Sequence, residues 1–278
     1  MSRTVRRWWP SEDDGWARTQ WVYEAMDGVG CDWFARISEP AGESNGFPPL
    51  VMVHGVVVSG SYFQPIASEL DDEFAIYVPD LPGTGRSTLR RGLLTLEQLA
   101  EGLAWWLDEH AVSGAVLVAN SMGCQVLTHL AVKRPDLVRA LVLVSPTMDP
   151  AVRWSVQVMI RGLLDIPRES ARLWPVWLRD VMLSSPISGL RMLRRSIRDP
   201  QIERVLRVQA PVLVVGGERD PIAPPAWIHE LADAFPNGRA MVMPGIPHAI
   251  NFTNARELAR VIRVMVRSEL NDPGGLFT

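Results

Sequence analysis

Five short apolar runs recur along the chain, and longer segments with helical spacing of apolar residues lie between them. The runs are continuous rather than alternating, which is typical of strands buried on both faces of a parallel sheet. Strands that alternate with helices predict an α/β fold, in which a mostly parallel central sheet carries helices on both faces. The five runs are Leu50–His54, Phe74–Val78, Ala115–Ala119, Ala140–Val144 and Pro211–Val215.

Segments outside these runs complete the predicted architecture. Two β-rich stretches, residues 21–26 and 31–37, flank the turn dipeptide Asp27-Gly28 and predict an antiparallel hairpin at the sheet edge. The run Thr95-Leu-Glu-Gln98 has the form of a capping box, so a helix is predicted from that point. Apolar spacing predicts a closing helix over residues 255–270.

The alternation of strands and helices breaks over residues 147–207. This segment contains helix-like pieces separated by prolines and no strand-like run, which predicts a helical insertion. The remaining residues, 1–146 and 208–278, then form the core. The insertion has 11 arginines and only six acidic residues, whereas the whole chain has a net charge of −3.

Composition excludes several classes of protein. The chain has 278 residues, 47% of them hydrophobic, and lacks the basic field of a nucleic-acid binder. Its two cysteines, Cys31 and Cys124, have no ligand cluster beside them, so neither a disulfide framework nor a metal site is predicted. No apolar run approaches the roughly 18 residues of a membrane span, and the N-terminus has no apolar signal-peptide centre. We expect a cytoplasmic protein without metal or cofactor, and the oligomeric state stays open.

The strongest chemical signal is the run Ala119-Asn-Ser-Met-Gly123, where a strand-like run meets a helix-like one at Ser121. A serine on so sharp a turn is pushed clear of the sheet, and small residues on either side let strand and helix pack closely. The start of a helix also offers unpaired N–H groups to a developing oxyanion. The alternative interpretation is that Ser121 only caps the helix.

Two loops supply the other groups that a serine nucleophile needs. His248 follows a strand-like run and a turn, which predicts a loop at the carboxyl end of a sheet strand, where ligands of such sheets bind. Asp220 is the preferred acid, because it gives the chain order Ser, Asp, His. Asp149 is the alternative acid, and Asp80 is predicted to cap nearby backbone amides.

The turn at His54-Gly55 follows the first buried strand of the core. A turn there can aim the N–H of Val56 at the same point as the N–H of Met122. Two such donors form an oxyanion hole. The His54 imidazole itself is predicted to pack within the turn.

These motifs together resemble the α/β-hydrolase fold family, in the family's order and over roughly residues 20–270. The resemblance implies that Ser121 is the nucleophile, His248 the general base and Asp220 its orienting acid, with Val56 and Met122 as oxyanion-hole donors. It also implies that the insertion takes the place of the family's helical cap. The motifs that carry the resemblance are His54-Gly55, Asp80-Leu-Pro-Gly-Thr-Gly-Arg-Ser87, Asn120-Ser-Met-Gly123, Gly217-Glu-Arg-Asp220 and Pro247-His248.

The family implies a serine hydrolase that cleaves a carboxylic ester or related acyl bond through an acyl-enzyme. The Asn-Ser-Met-Gly run is similar both to esterases and to carbon–carbon bond hydrolases that act on ring-cleavage products, so the motif leaves both open. A cofactor-free lyase or oxygenase of the same fold and a non-catalytic ligand-binding protein are further alternatives.

The apolar side chains of the insertion predict the substrate class. Pockets for small ligands are mostly apolar, so a hydrophobic or aromatic acyl substrate is expected, with Trp154 and Trp177 as candidate contacts. A sharper hypothesis has Arg191 pair with a substrate carboxylate, as a guanidinium can do with two hydrogen bonds. The other arginines considered for that role are Arg179, Arg194 and Arg195.

Overall fold

A nine-stranded sheet forms the centre of the computed structural model, which describes residues 19–26, 31–38, 40, 46–89, 92–147, 149–150, 154–184 and 186–271. The strands lie in the order β1-β2-β4-β3-β6-β7-β8-β9, and β5 pairs with β2. Pairing is antiparallel between β2 and its neighbours and parallel from β4 to β9. The strands are β1 (Thr19–Met26), β2 (Cys31–Ser38), β3 (Leu50–Val53), β4 (Ile76–Asp80), β5 (Thr88–Leu89), β6 (Ala115–Asn120), β7 (Val138–Val144), β8 (Val212–Gly217) and β9 (Gly238–Met243).

Helices connect these strands and cover both faces of the sheet. They are α1 (Gln64–Leu70), α2 (Leu96–Glu109), α3 (Gly123–Lys133), α4 (Ser155–Asp165), α5 (Leu173–Leu183), α6 (Pro186–Ile197), α7 (Gln201–Val205), α8 (Pro225–Ala234), α9 (Ile250–Thr253) and α10 (Ala255–Asn271). Short 3-10 helices cover Gly60–Phe63, Pro135–Leu137 and Ile166–Arg168. No helix in the described ranges is long and apolar enough to cross a membrane.

Local sequence signals explain where several elements begin. β1 and β2 form the predicted edge hairpin, with Met26 opposite Cys31, and the turn dipeptide between them lies outside the described residues. The capping box of α2 is also confirmed: the Gln98 N–H donates to Thr95 Oγ1 at 3.1 Å, and the Thr95 N–H donates to Gln98 Oε1 at 2.9 Å. These two bonds satisfy N–H groups that a helix start leaves unpaired.

Alternation along the central strands divides the core into two layers. In β3, Leu50 and Met52 pack in the cluster that contains α1 and α10, whereas Val51 and Val53 pack in the cluster that contains α2 and α3. Successive strand residues point to opposite faces, so an entirely apolar strand requires a helix layer on each side. The predicted α/β architecture is confirmed.

Between β7 and β8 the chain forms α4, α5, α6 and α7, and the described part of this stretch contains no strand. We call α4, α5 and α6 the inserted helices. They follow the carboxyl end of β7, on the side where β6 and β8 also end, because these three strands are parallel. The inserted helices are therefore placed to cover the loops that carry the candidate site.

Candidate active site

Ser121 lies between the last residue of β6 and α3, whose first residue is Gly123. Its φ is +58°, in the left-handed region that residues with a side chain rarely adopt. Strain of this kind concentrates at functional turns. The N-cap residue of α3 is Met122, and no side-chain hydrogen bond caps the helix there, so the structure does not support the alternative that Ser121 only caps the helix.

Two glycines allow the serine turn to pack against the end of β3. A Cβ atom on Gly123 would lie 2.4 Å from the Val53 carbonyl oxygen, and one on Gly55 would lie 2.9 Å from the Ser121 Cβ. Distances this short require the backbone to move, so glycine is the residue that fits at both positions. The packing brings the turn after β3 beside Ser121.

His248 and Asp220 meet on the loops after β9 and β8. The His248 Nδ1 and Asp220 Oδ2 are 2.8 Å apart, and the Asp220 side chain is fully buried. The other carboxylate oxygen, Oδ1, accepts hydrogen bonds from the N–H groups of Ile222 and Ala223 at 2.8 and 2.9 Å. Asp149, the alternative acid, instead pairs with Arg161 at 3.3 Å.

Asp80 and His54 hold the neighbouring loops. Asp80 accepts from the N–H groups of Gly60 and Arg86 at 2.7 and 2.9 Å, as predicted, and it also forms a buried ion pair with Arg36 at 2.8 Å. Burial acts to raise the pKa of Asp80, but Arg36 and His54 hold that pKa below its usual value. The His54 Nε2 accepts from the Leu81 N–H at 2.9 Å, which is the packing role expected for this imidazole.

Two carboxylates from the inserted segment contact the His248 loop, and the sequence interpretation missed both. The backbone N–H of His248 donates to Asp165 Oδ1 at 3.4 Å, and the backbone N–H of Ala249 donates to Glu169 Oε1 at 2.6 Å. Glu169 Oε2 also accepts from the Thr253 hydroxyl at 2.8 Å. No local motif marks Asp165 or Glu169, because the contact joins segments about 80 residues apart.

These carboxylates change the protonation behaviour of the site. Burial acts to lower the pKa of His248, but Asp220, Asp165 and Glu169 together raise it to about 9. Burial raises the pKa of Asp165 to about 7; His248 opposes that rise, and Glu169 and Asp220 add to it. The surroundings of His248 therefore stabilise its positively charged form.

A cavity of about 500 Å³ brings the proposed reacting groups together. Ser121 and His248 both line it, as do Val56 and Met122. Within the described ranges, the backbone N–H groups of Val56 and Met122 donate to no backbone carbonyl. Neither N–H is engaged in such a bond, and the oxyanion-hole role stays a prediction for both.

The cavity wall is mostly apolar and draws on all three inserted helices. Trp177 lines it, as predicted. Trp154 and Arg191 do not: Trp154 precedes α4 and is 67% exposed, and Arg191 lies on the exposed side of α6. Leu193 of the same helix faces the cavity, and residues two apart on a helix point in widely different directions. The apolar lining comprises Val56, Val57, Val58, Met122, Val158, Met159, Leu163, Ile166, Leu173, Trp174, Trp177, Leu193, Ile222 and Ala249.

The arginines considered for a substrate carboxylate lie elsewhere. Arg195 donates to the Leu94 carbonyl at 2.6 Å, and Arg179 donates to the Ser61 hydroxyl and pairs with its neighbour Asp180, so both arginines are engaged by other protein groups. Arg194 is exposed. Neither lysine nor arginine occurs in the described lining of the cavity, whereas Asp165 and Glu169 do.

The two cysteines take no part in this site. Cys31 and Cys124 are both buried as free thiols, and burial raises the pKa of each. Among the residues that the structure describes, no group of three or more His, Cys, Asp or Glu side chains is arranged to hold a metal ion.

Comparison with known proteins places these features in context. The model of the alpha/beta hydrolase family matches residues 50–261. The pimeloyl-[acyl-carrier protein] methyl ester esterase of Vibrio cholerae is 30% identical over 236 residues, covering 74% of this chain and 89% of that protein. The 2-(acetamidomethylene)succinate hydrolase of Mesorhizobium japonicum is 26% identical over 241 residues, covering 78% and 87%.

Solved structures share the fold at lower identity. A thermophilic esterase from Thermogutta terrifontis superposes with a TM-score of 0.72 at 23% identity, covering 89% of this chain and 98% of that one. An enol-lactonase from Burkholderia xenovorans gives a TM-score of 0.72 at 22% identity, covering 87% and 98%. At this identity the likeness concerns the fold.

Proposed function

Because the chain belongs to the alpha/beta hydrolase family, we propose that it cleaves the carboxylic ester of a hydrophobic small molecule through a covalent intermediate on Ser121. One observation carries the proposal: the strained Ser121 shares a cavity with His248, whose Nδ1 is hydrogen-bonded to Asp220. A curated relative that covers most of the chain is named as a methyl ester esterase, which supports ester cleavage.

The reaction proceeds in two steps of acyl transfer. His248 Nε2 takes the proton of Ser121 while the serine Oγ attacks the ester carbonyl carbon, and the protonated imidazole then gives that proton to the departing alcohol. Water attacks the resulting acyl-serine with His248 again as base, and the carboxylic acid leaves as Ser121 regains its proton. In the neutral imidazole that acts as base, Asp220 accepts a hydrogen bond from the proton of Nδ1, so Nε2 is free to accept.

The negative charge of each tetrahedral intermediate needs its own partners. The N–H groups of Val56 and Met122 supply them from the cavity wall. The buried carboxylates around His248 stabilise the imidazolium that forms in the same step. Both developing charges of the transition state thus have complementary groups in place before the substrate binds.

The cavity supports an uncharged, apolar acyl group. A volume of about 500 Å³ suits a small organic ligand, and most of its lining is aliphatic or aromatic. Asp165 and Glu169 stand in the same wall, so a second carboxylate on the acyl chain would meet like charge. We further propose that residues 147–207 act as a cap, since α4, α5 and α6 all contribute to this wall.

A fluorophosphonate probe and an ester assay test the mechanism. We expect the wild-type protein to label with one equivalent of probe and Ser121→Ala to lose both labelling and turnover, the latter by several orders of magnitude. Ser145→Ala is the matched control: Ser145 has φ +46° after the neighbouring strand β7 and lies outside the cavity lining. Labelling that survives in Ser121→Ala but not in Ser145→Ala would reject Ser121 as the nucleophile.

A panel of matched esters tests the substrate class. kcat/KM is expected to rise as a neutral acyl chain lengthens to fill the cavity, and to fall at least tenfold when the chain ends in a carboxylate. A preference for the shortest acyl group would contradict the apolar pocket. Faster hydrolysis of the carboxylate-bearing esters would contradict the acidic wall.

A further inference from the structure

The exposed apolar surface of this protein is concentrated on the inserted helices. Of the sixteen large hydrophobic side chains exposed in the described residues, thirteen lie between positions 154 and 190. Scattered apolar side chains are ordinary on a soluble protein, but a concentrated set marks an interaction surface.

α4 shows that lining the cavity does not account for this surface. One side of α4 lines the cavity through Val158, Met159, Gly162 and Leu163. The stripe Val156, Ile160 and Leu164, at positions i, i+4 and i+8, does not line the cavity and is 52 to 59% exposed. A helix that is apolar on two sides is normally covered on both. The second side of α4 is therefore left uncovered.

α5 and α6 also carry exposed apolar side chains. Leu178 and Met182 of α5 lie one helical turn apart, are 58% and 79% exposed, and stay outside the cavity lining. Ile187 and Leu190 of α6 form a similar exposed pair, and α6 packs against α4. We call these residues, with the α4 stripe, the outer face: Val156, Ile160, Leu164, Leu178, Met182, Ile187 and Leu190.

Cationic side chains accompany the outer face. Arg191, Arg194 and Arg198 follow one another at i, i+3 and i+7 along α6 and just beyond its end, and all three are exposed. Arg168 and Arg172, between α4 and α5, are exposed as well. None of these five arginines forms an ion pair with another described residue. Helices that lie in a membrane interface combine exposed basic side chains with an exposed apolar face.

The acidic residues of the segment do not neutralise this charge, because most of them are engaged inside the protein. Asp165 and Asp180 are buried, and Glu169 accepts two hydrogen bonds from the His248 loop and Thr253. Asp149 and Asp199 are ion-paired. The outer surface is therefore strongly positive and favours an anionic partner.

We propose that the outer face docks on the surface of an anionic lipid bilayer. The apolar stripes would enter the boundary between headgroups and acyl chains, and the arginines would lie among the acidic headgroups. A second copy of the chain suits the face less well, since a symmetric pair would bring the same arginine-bearing surfaces together. A bilayer also accepts a broad apolar face without requiring a complementary shape.

The cavity opens beside this face. Met159, Leu163 and Trp174 line the cavity and are also 53%, 65% and 46% exposed, so they join its interior to the apolar exterior. An apolar ester dissolved in the bilayer could then reach Ser121 along a continuous apolar surface. This last consequence rests on the proposed hydrolase function, whereas the docking itself does not.

Vesicle binding tests the docking separately from catalysis. Ser121→Ala protein is sedimented with vesicles of phosphatidylcholine alone and with vesicles that also contain phosphatidylglycerol. We expect binding to the anionic vesicles that weakens as salt rises and is absent with phosphatidylcholine alone. Failure to bind the anionic vesicles, or equal binding to both kinds, would overturn the proposal.

Paired substitutions locate the surface. Arg191→Gln/Arg194→Gln/Arg198→Gln is expected to weaken binding about 100-fold, because each basic side chain near an anionic surface contributes about fivefold. Ile160→Ser/Leu164→Ser is expected to weaken binding at least tenfold. The matched controls on α10, Arg260→Gln and Val264→Ser, remove an exposed charge and an exposed apolar group and should bind as the parent does. Controls that lose as much binding as the test variants would refute this location.

Two further measurements distinguish the other partners. Sedimentation velocity that shows a dimer, which Ile160→Ser/Leu164→Ser dissociates, together with no vesicle binding, would assign the face to a second copy. Binding of purified acyl carrier protein through the arginines, again with no vesicle binding, would assign it to an acidic protein. An unchanged melting temperature in each variant shows that loss of binding is not loss of folding.

Discussion

Asp220→Asn should impair catalysis because the backbone dictates how the new amide is oriented. Oδ1 of Asp220 accepts from the N–H groups of Ile222 and Ala223, while Oδ2 faces His248 Nδ1. In the variant, the amide oxygen must accept the hydrogen bonds from these two backbone N–H groups, so the amide NH₂ faces the imidazole. Nδ1 must then accept, which puts the ring proton on the nitrogen that has to receive the proton of Ser121.

The size of the effect follows from the burial of the pair. The Asp220 side chain is fully buried and that of His248 is 11% exposed, so their attraction in the transition state is only weakly screened by water. Loss of one partner of a buried ion pair costs about 3–5 kcal/mol. That cost corresponds to about 10²–10⁴-fold in kcat. The wrong imidazole tautomer moves the expected loss toward the upper end of this range.

The assay compares Asp220→Asn with Asp149→Asn, both measured on one neutral ester. Asp149 makes a partly exposed ion pair with Arg161, so its variant should retain kcat within about threefold. KM should change little in either variant, because neither carboxylate lines the cavity. A larger loss of kcat in Asp149→Asn, or wild-type turnover in Asp220→Asn, would refute the assignment of the acid.

Three further outcomes are expected. The kcat/KM of the wild type should rise with pH toward the His248 pKa of about 9, since the base must be deprotonated. Glu169→Gln removes a carboxylate that raises this pKa, so the pH profile of the variant should move to lower pH. A shift of the profile to higher pH would contradict the reasoning. Asp80→Asn leaves Arg36 charged in the core without its partner, so the free energy of unfolding measured in urea should fall by about 3–5 kcal/mol. A change below about 1 kcal/mol would mean that the Asp80–Arg36 ion pair contributes little to stability. Gly123→Ala places a Cβ atom 2.4 Å from the Val53 carbonyl oxygen, so it should slow fluorophosphonate labelling at least tenfold and lower the melting temperature. Labelling at the wild-type rate would show that the turn can relax around the added atom.

The sheet and the nucleophile turn could be predicted because their signals are local. An apolar run such as Ala115–Ala119 needs cover on both faces whatever its neighbours are, and it lies in the six-residue, fully buried strand β6. The turn at Ser121 needs a small residue at Gly123 because the helix approaches the end of β3. Chain order then pointed to Asp220 and His248, which the fold brings within hydrogen-bonding distance.

The substrate contacts could not be predicted in the same way, because they depend on how the inserted helices rotate. Trp154 and Trp177 look equivalent in the sequence, yet only Trp177 lines the cavity. Arg191 and Leu193 lie two residues apart, and the helix directs one outward and the other inward. Composition reveals that a helix carries apolar and basic residues, but its direction of packing is a tertiary property.

The charge of the insertion shows what composition conceals. Eleven arginines against six acids favour the hypothesis that one arginine pairs with a substrate carboxylate in an otherwise apolar pocket. The fold separates these charges instead: Asp165 and Glu169 turn inward to the His248 loop, while Arg191, Arg194 and Arg198 remain outside. Carboxylates inside favour the imidazolium of acyl transfer and oppose an acidic substrate, and arginines outside favour an anionic surface. One segment with a net positive charge thus supplies a negative site and a positive exterior, so its interior and exterior charges favour different partners.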